Sequence, residues 1–113
     1  MGGNTQLMIG DNIYNRVYII RGQQVMLDYD LAEIYGYEVK RLNEQVKRNI
    51  TRFPEDFMFQ LTKTELENLR SNFSTANLNP KSRTLPHAFT EQGIYMLATV
   101  LRGELAEQQS IFI

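Results

Sequence analysis

The sequence predicts an α+β fold: one small domain with an N-terminal β-hairpin, a helix-turn-helix-like helix pair, short additional strands and C-terminal helices. Three observations predict it. β-branched and aromatic residues gather in a short run broken by glycine, "VYIIRGQQVML", as hairpin strands do. From Leu31 onward apolar residues recur at helical spacing in two segments separated by Gly36. Thr62-Lys63-Thr64-Glu65 has the form of a capping box, and so marks a further helix start.

Each element follows in order. Residues 1–15, "MGGNTQLMIGDNIYN", show little periodicity and are expected to be a loose leader to a domain spanning residues 16–113. In the hairpin, Arg21-Gly22-Gln23-Gln24 is the expected turn region. Asp28 or Asp30 is placed to accept hydrogen bonds from the free amides opening the next helix, and Glu33 stands where a capping box after Asp30 needs it. Gly36 ends that helix, because glycine tolerates positive φ. A second helix is expected from about Glu38 to Asn49, before Pro54 and an alternating strand, "FMFQL".

The capping box then opens a helix that fades near Ser71. The following "SNFSTANLNPKSRT" (71–84) is polar, asparagine-rich and long for a connection. "LPHAF" reads as a strand, Thr90 caps the apolar helix "EQGIYMLATVLR", and a last helix is expected to begin near Gly103. The final "IFI" points to a chain cut from a longer parent, to a terminus folded back on the core, or to packing in a homodimer.

Composition sets outer bounds. The chain is 42% apolar and 22% charged, ordinary for a globular protein. No run approaches the roughly 18 apolar residues a membrane span needs, and no secretory signal opens the sequence. With no cysteine, disulfides, zinc fingers and thiol catalysis are excluded, and a cytoplasmic setting with no membrane partner is expected.

Catalysis finds little support. The single histidine, His87, sits in "LPHAFT" among apolar neighbours, a setting typical of a packed, hydrogen-bonded side chain. No phosphate-binding glycine loop, serine elbow or HExxH pair is present. Asp28, Asp30 and Glu33 would suit a divalent cation by type, but helix capping accounts for them with less machinery. "PEDF" has one acid of a metal-dependent nuclease site, and "QLTK" lacks the second. The expectation is a non-enzymatic protein without cofactor or metal.

Charge distribution says more than net charge, which is −1. Between Lys40 and Arg52 stand five cations (Lys40, Arg41, Lys47, Arg48 and Arg52) against one anion, Glu44. At about 100° per residue, Val39, Leu42, Val46 and Ile50 fall within an arc of about 80°, a stripe expected to be buried. The cations lie nearly opposite, with Asn43 at the border. A solvated face stitched by Glu44 to Lys47 and Arg48 explains such a pattern without any ligand. The preceding helix favours more. Ala32 and Gly36 supply the small residue and the permissive turn that close helix packing requires, with Leu31, Ile34 and Tyr35 available to pack. Cations and amides held outward on the second helix are the chemistry that reads base edges and phosphates.

At these residues the chain resembles a known family. "MLDYDLAEIYGYEVKRLNEQVKRNITRFPEDFMFQLT" and "LPHAFTEQGIYMLATVLR" are similar to the KilA-N-type phage DNA-binding domain, in the variety named from the amino-terminal part of an open-reading-frame-six phage protein. The resemblance runs from about Val17 to the C-terminus. It implies a small α+β DNA-binding module of phage or prophage origin, common in antirepressor-like regulators, with the contact helix carrying Lys40, Arg41, Asn43, Lys47 and Arg48.

The expected function is therefore sequence-selective binding of double-stranded DNA by a phage-derived transcriptional regulator or antirepressor. The 38–49 helix would enter a major groove. Lys40, Asn43 and Lys47 are the candidates for base edges and Arg41, Arg48 and Arg52 for phosphates, while Lys81 and Arg83 would either reach out like a wing or belong to a mobile solvated connection. The competing expectation is a protein-interaction module that binds a repressor without touching DNA. A face for structured RNA is a third.

Overall fold

The computed structural model describes residues 16–72 and 84–111, with the backbone alone for Asn72 and residues 104–111. The leader, the connection around Lys81 and Arg83, and Phe112 and Ile113 lie outside the described residues.

The hairpin pairs β1 (Tyr18–Ile20) with β2 (Gln23–Leu27) through a two-residue turn. Arg21 and Gly22 both have positive φ, 55° and 74°, the conformation whose twist matches that of the flanking strands. The expected four-residue turn is thus too long: Gln23 and Gln24 lie in β2, opposite Ile20 and Ile19. Arg21 adopts a conformation that favours glycine, and its side chain is held firmly there. The guanidinium donates to both Glu65 oxygens at 2.9 and 3.1 Å and lies 4.1 Å over the Phe59 ring.

Strand β2 runs without a break into α1 (Asp28–Tyr35), with Leu27 as N-cap and no side-chain cap. The expected Asp30–Glu33 capping box does not form. The helix starts too early for it, so Asp30 lies inside the first turn, and Glu33 pairs with Arg16 at 2.9 and 3.2 Å. Gly36 does terminate α1, at φ 72° and ψ 30°, with Tyr37 N–H donating to the Ala32 carbonyl at 2.8 Å.

Helix α2 (Val39–Arg48) follows after three residues and ends at Asn49, whose side chain caps the Gln45 carbonyl at 2.9 Å. Leu42 and Val46 are fully buried, as expected. Val39 and Ile50 are not, being 37% and 51% exposed. Ile50 has left the α-helical phase for a 3₁₀ turn (Ile50–Arg52), and Val39 stands at the open end of α2. Ile34 and Tyr35 are likewise exposed, because the inward side of α1 is made by Asp28, Asp30, Leu31 and Ala32.

A turn at Pro54 leads to β3 (Met58–Gln60), then α3 (Lys63–Asn72), β4 (His87–Phe89) and α4 (Glu91–Ile111). The capping box at α3 is reciprocal: Thr62 N–H donates to Glu65 at 2.8 Å, and Glu65 N–H to Thr62 Oγ1 at 3.2 Å. Helix α4 is continuous through Gly103, where a new helix was expected to begin. Glycine costs a helix only about 1 kcal/mol relative to alanine, so the backbone ladder carries on through it.

The sheet order is β1-β2-β4-β3, all antiparallel. Its register sorts the core into two faces. Tyr18, Ile20, Val25, Leu27, Phe59 and Ala88 pack with Leu66 and Leu69 of α3. Met26, Met58 and Phe89 form one row across the opposite face, beneath Leu31 and Ala32 of α1, Leu42 and Val46 of α2, and Leu97, Val100 and Leu101 of α4. Helix α2 is thus pressed onto the domain along one side only. That leaves its other side to solvent.

Candidate nucleic-acid interface

The outward side of α2 is the charged one. Lys40, Arg41, Glu44, Lys47 and Arg48 are all exposed, and Arg52 is exposed on the 3₁₀ turn beyond. Glu38, Lys40, Arg41, Glu44, Gln45 and Arg48 line a shallow depression of about 350 Å³ along the helix. Lys47 and Arg48 occupy the last turn, where positive charge complements the free carbonyls of the helix end. The Arg41 guanidinium lies 5.7 Å from the centre of the Tyr37 ring. Tyr37 packs against the core below, so it offers the arginine a fixed aromatic surface.

Asn43 is placed differently from the cations. It is half-buried, and its amide donates to Asp28 Oδ2 at 3.1 Å. That carboxylate, 3% exposed, also accepts from the His87 backbone N–H at 3.2 Å, with His87 Nδ1 at 3.4 Å, while its other oxygen accepts from Tyr29 N–H at 2.7 Å. Asp28 therefore ties the start of α1, the middle of α2 and strand β4 to one point. Three elements meet on one carboxylate. His87 is the packed, hydrogen-bonded strand histidine its sequence context suggested.

Lys40, Arg41, Lys47, Arg48 and Arg52 are thus brought to one side of the molecule, Asn43 is turned toward the domain, and Lys81 and Arg83 fall outside the described residues. Three contributors escaped the sequence reading. Gln45 lines the depression, Tyr37 supports Arg41, and Asp28 anchors the helix. The only signal for the last was an acid directly after the apolar end of a strand.

A second buried acid, Asp30, lies two residues further along α1. Asp30 is 1% exposed, with one oxygen 3.8 Å from Arg16 and the other without a partner, as is the Tyr29 hydroxyl. Burial pushes the Asp30 carboxyl up to about 6, against the pull of Arg16 and with a further push from Glu33 and Asp28. Glu33 and Glu65 are held below the usual carboxylate range by the guanidinium groups of Arg16 and Arg21. No described helix is long and apolar enough to cross a membrane.

Fold and face together define a small α+β domain that displays one cationic helix from a sheet-anchored helix pair. The ORF6N domain family model matches residues 15–100, and the chain belongs to that family, a KilA-N- and antirepressor-like phage regulatory domain. No curated protein and no solved structure matches the chain.

Proposed function

We propose that this ORF6N domain binds double-stranded DNA, with α2 lying in the major groove, as the DNA-reading part of a phage or prophage transcriptional regulator or antirepressor. The observation that carries the reading is the exposed face of Lys40, Arg41, Lys47 and Arg48 on a helix whose opposite side is locked to the sheet. A three-residue connection joins α1 to α2, the length that a helix-turn-helix uses. A rigid helix presenting cations is what phosphate neutralisation requires, and a net charge of −1 is no obstacle because the charge is sorted by face.

In this reading Lys40 and Lys47 reach base edges, and Arg41, Arg48 and Arg52 take phosphates. Asn43 serves by holding the helix in place. The domain acts by binding, without catalysis or cofactor, in the cytoplasm where the genome is accessible. Fluorescence anisotropy with a labelled duplex tests this directly. The wild-type chain binds, and Arg41→Ala/Arg48→Ala binds more weakly to every sequence; equal affinities remove this face from the interface.

A second reading, in which the domain engages a repressor protein, has its own support. Ile34, Tyr35 and Val39 are exposed within six residues around the turn between α1 and α2. Such a complex is stoichiometric and only modestly sensitive to salt, whereas DNA binding weakens steeply with salt.

A further inference from the structure

Glu44 does not fit a face made only to neutralise phosphates. At about 100° per residue, Glu44 stands diametrically opposite the midpoint of buried Leu42 and Val46, at the centre of the outward face of α2. Lys40 and Lys47 flank it on one side, Arg41 and Arg48 on the other. It is exposed and lines the depression with three of those cations. Arg48 and Lys47 follow at ion-pairing spacing, yet among the described residues no hydrogen bond or ion pair engages the Glu44 carboxylate. A carboxylate so placed repels phosphates, and so weakens sequence-independent binding.

What a major groove offers such a group is narrow. Its only strong donors are the cytosine N4 and adenine N6 amines. Around the adenine amine lie two acceptors, adenine N7 and thymine O4, which a carboxylate opposes. The cytosine amine has one such neighbour, guanine O6, and that oxygen is a good partner for an adjacent lysine or arginine. A carboxylate between cations therefore matches a C·G pair.

Resting on the DNA-binding reading, we infer that Glu44 is a specificity-determining residue: its carboxylate accepts from a cytosine N4 amine while Lys40 or Lys47 donates to guanine. Glu44 sets one position of the recognised sequence and suppresses binding to all others.

The test is a selection from a library of randomised duplexes, run with wild type, Glu44→Gln and Glu44→Ala, plus anisotropy on one arbitrary duplex. Wild type should enrich a motif with one fixed C·G pair, preferring cytosine there on the order of 5- to 100-fold. Glu44→Ala should lose the preference at that position alone. Glu44→Gln should move it toward adenine, whose N6 and N7 a glutamine amide can engage together. Both variants should bind the arbitrary duplex several-fold more tightly than wild type. An unchanged motif in both variants, or a wild type that binds duplexes without any motif, overturns the role of Glu44 and leaves DNA binding standing. A wild type that binds no duplex overturns the underlying reading, and the inference with it.

Discussion

Gly93, in the first turn of α4, lies so close to Phe57 that a β-carbon at position 93 would overlap the Phe57 carbonyl oxygen and stand 2.8 Å from its carbon. The same carbonyl accepts from Thr90 N–H at 3.0 Å, and Thr90 Oγ1 donates to the Asp56 carbonyl at 2.8 Å. The blocks "RFPEDFMFQLT" and "AFTEQG" are therefore two sides of one contact. That contact fixes the 54–57 turn, which joins the 3₁₀ turn after α2 to β3.

Gly93→Ala should destabilise the fold by at least about 2 kcal/mol. A methyl group facing rigid backbone forces α4 away from the 54–57 turn, an overpacking that costs roughly 1–3 kcal/mol or more, and the Thr90 bonds are lost with it. The better helix propensity of alanine returns only about 1 kcal/mol. Urea denaturation checks this. A midpoint unchanged or raised would show that propensity alone governs the site.

The Asp30 carboxyl gives the fold a defined pH dependence. Its folded value of about 6 lies above the unfolded value of about 3.9, so the folded state holds this proton more tightly. The stability it contributes is complete below about pH 4 and is lost as pH rises through 6, by about 3 kcal/mol. Glu33 and Glu65 act in the opposite sense, losing their contribution as pH falls. Comparison with Asp30→Asn isolates the first effect. The stability of the variant relative to wild type should rise by about 2–3 kcal/mol from pH 4 to pH 7. A difference flat across that range would contradict it.

Local chemistry made much of the fold legible. Positive φ at Gly22 and Gly36, the Thr62–Glu65 box and the buried Leu42–Val46 step follow from rules acting over four residues or fewer. What was not legible depends on neighbours distant in sequence. Glu33 has no cap to complete because α1 runs straight on from β2 and already encloses Asp30, and it pairs with the distant Arg16 instead. Asn43 turns inward because Asp28, fifteen residues earlier, is buried beside it. Ile50 fits a helical stripe only if the helix continues, and the 3₁₀ turn shifts its phase. Gly93 looks like a helix defect until Phe57 is placed against it. The cations of α2 were readable as a face; which of its polar residues faces the domain was not.

Asn43→Ala tests that last distinction. Loss of the amide should cost roughly 1–2 kcal/mol of stability, since Asp28 keeps the Tyr29 and His87 donors. Asn43→Asp should cost more, because it sets a second carboxylate beside a buried one. For DNA, a positioning role predicts that Asn43→Ala weakens all duplexes alike and leaves the selected motif intact. A changed preference at a single base would instead return Asn43 to the group of base readers.

The most direct test of the central claim is the salt dependence of duplex binding, measured for wild type and Arg41→Ala/Arg48→Ala. If Lys40, Arg41, Lys47, Arg48 and Arg52 all engage the duplex and together displace about five counterions, log K against log[salt] should fall with a slope of roughly −4 to −5. Removing two of the five should weaken binding and flatten the slope to about −3. Identical affinities and slopes for the two proteins, or wild-type binding that is insensitive to salt, would contradict DNA recognition by this face of α2.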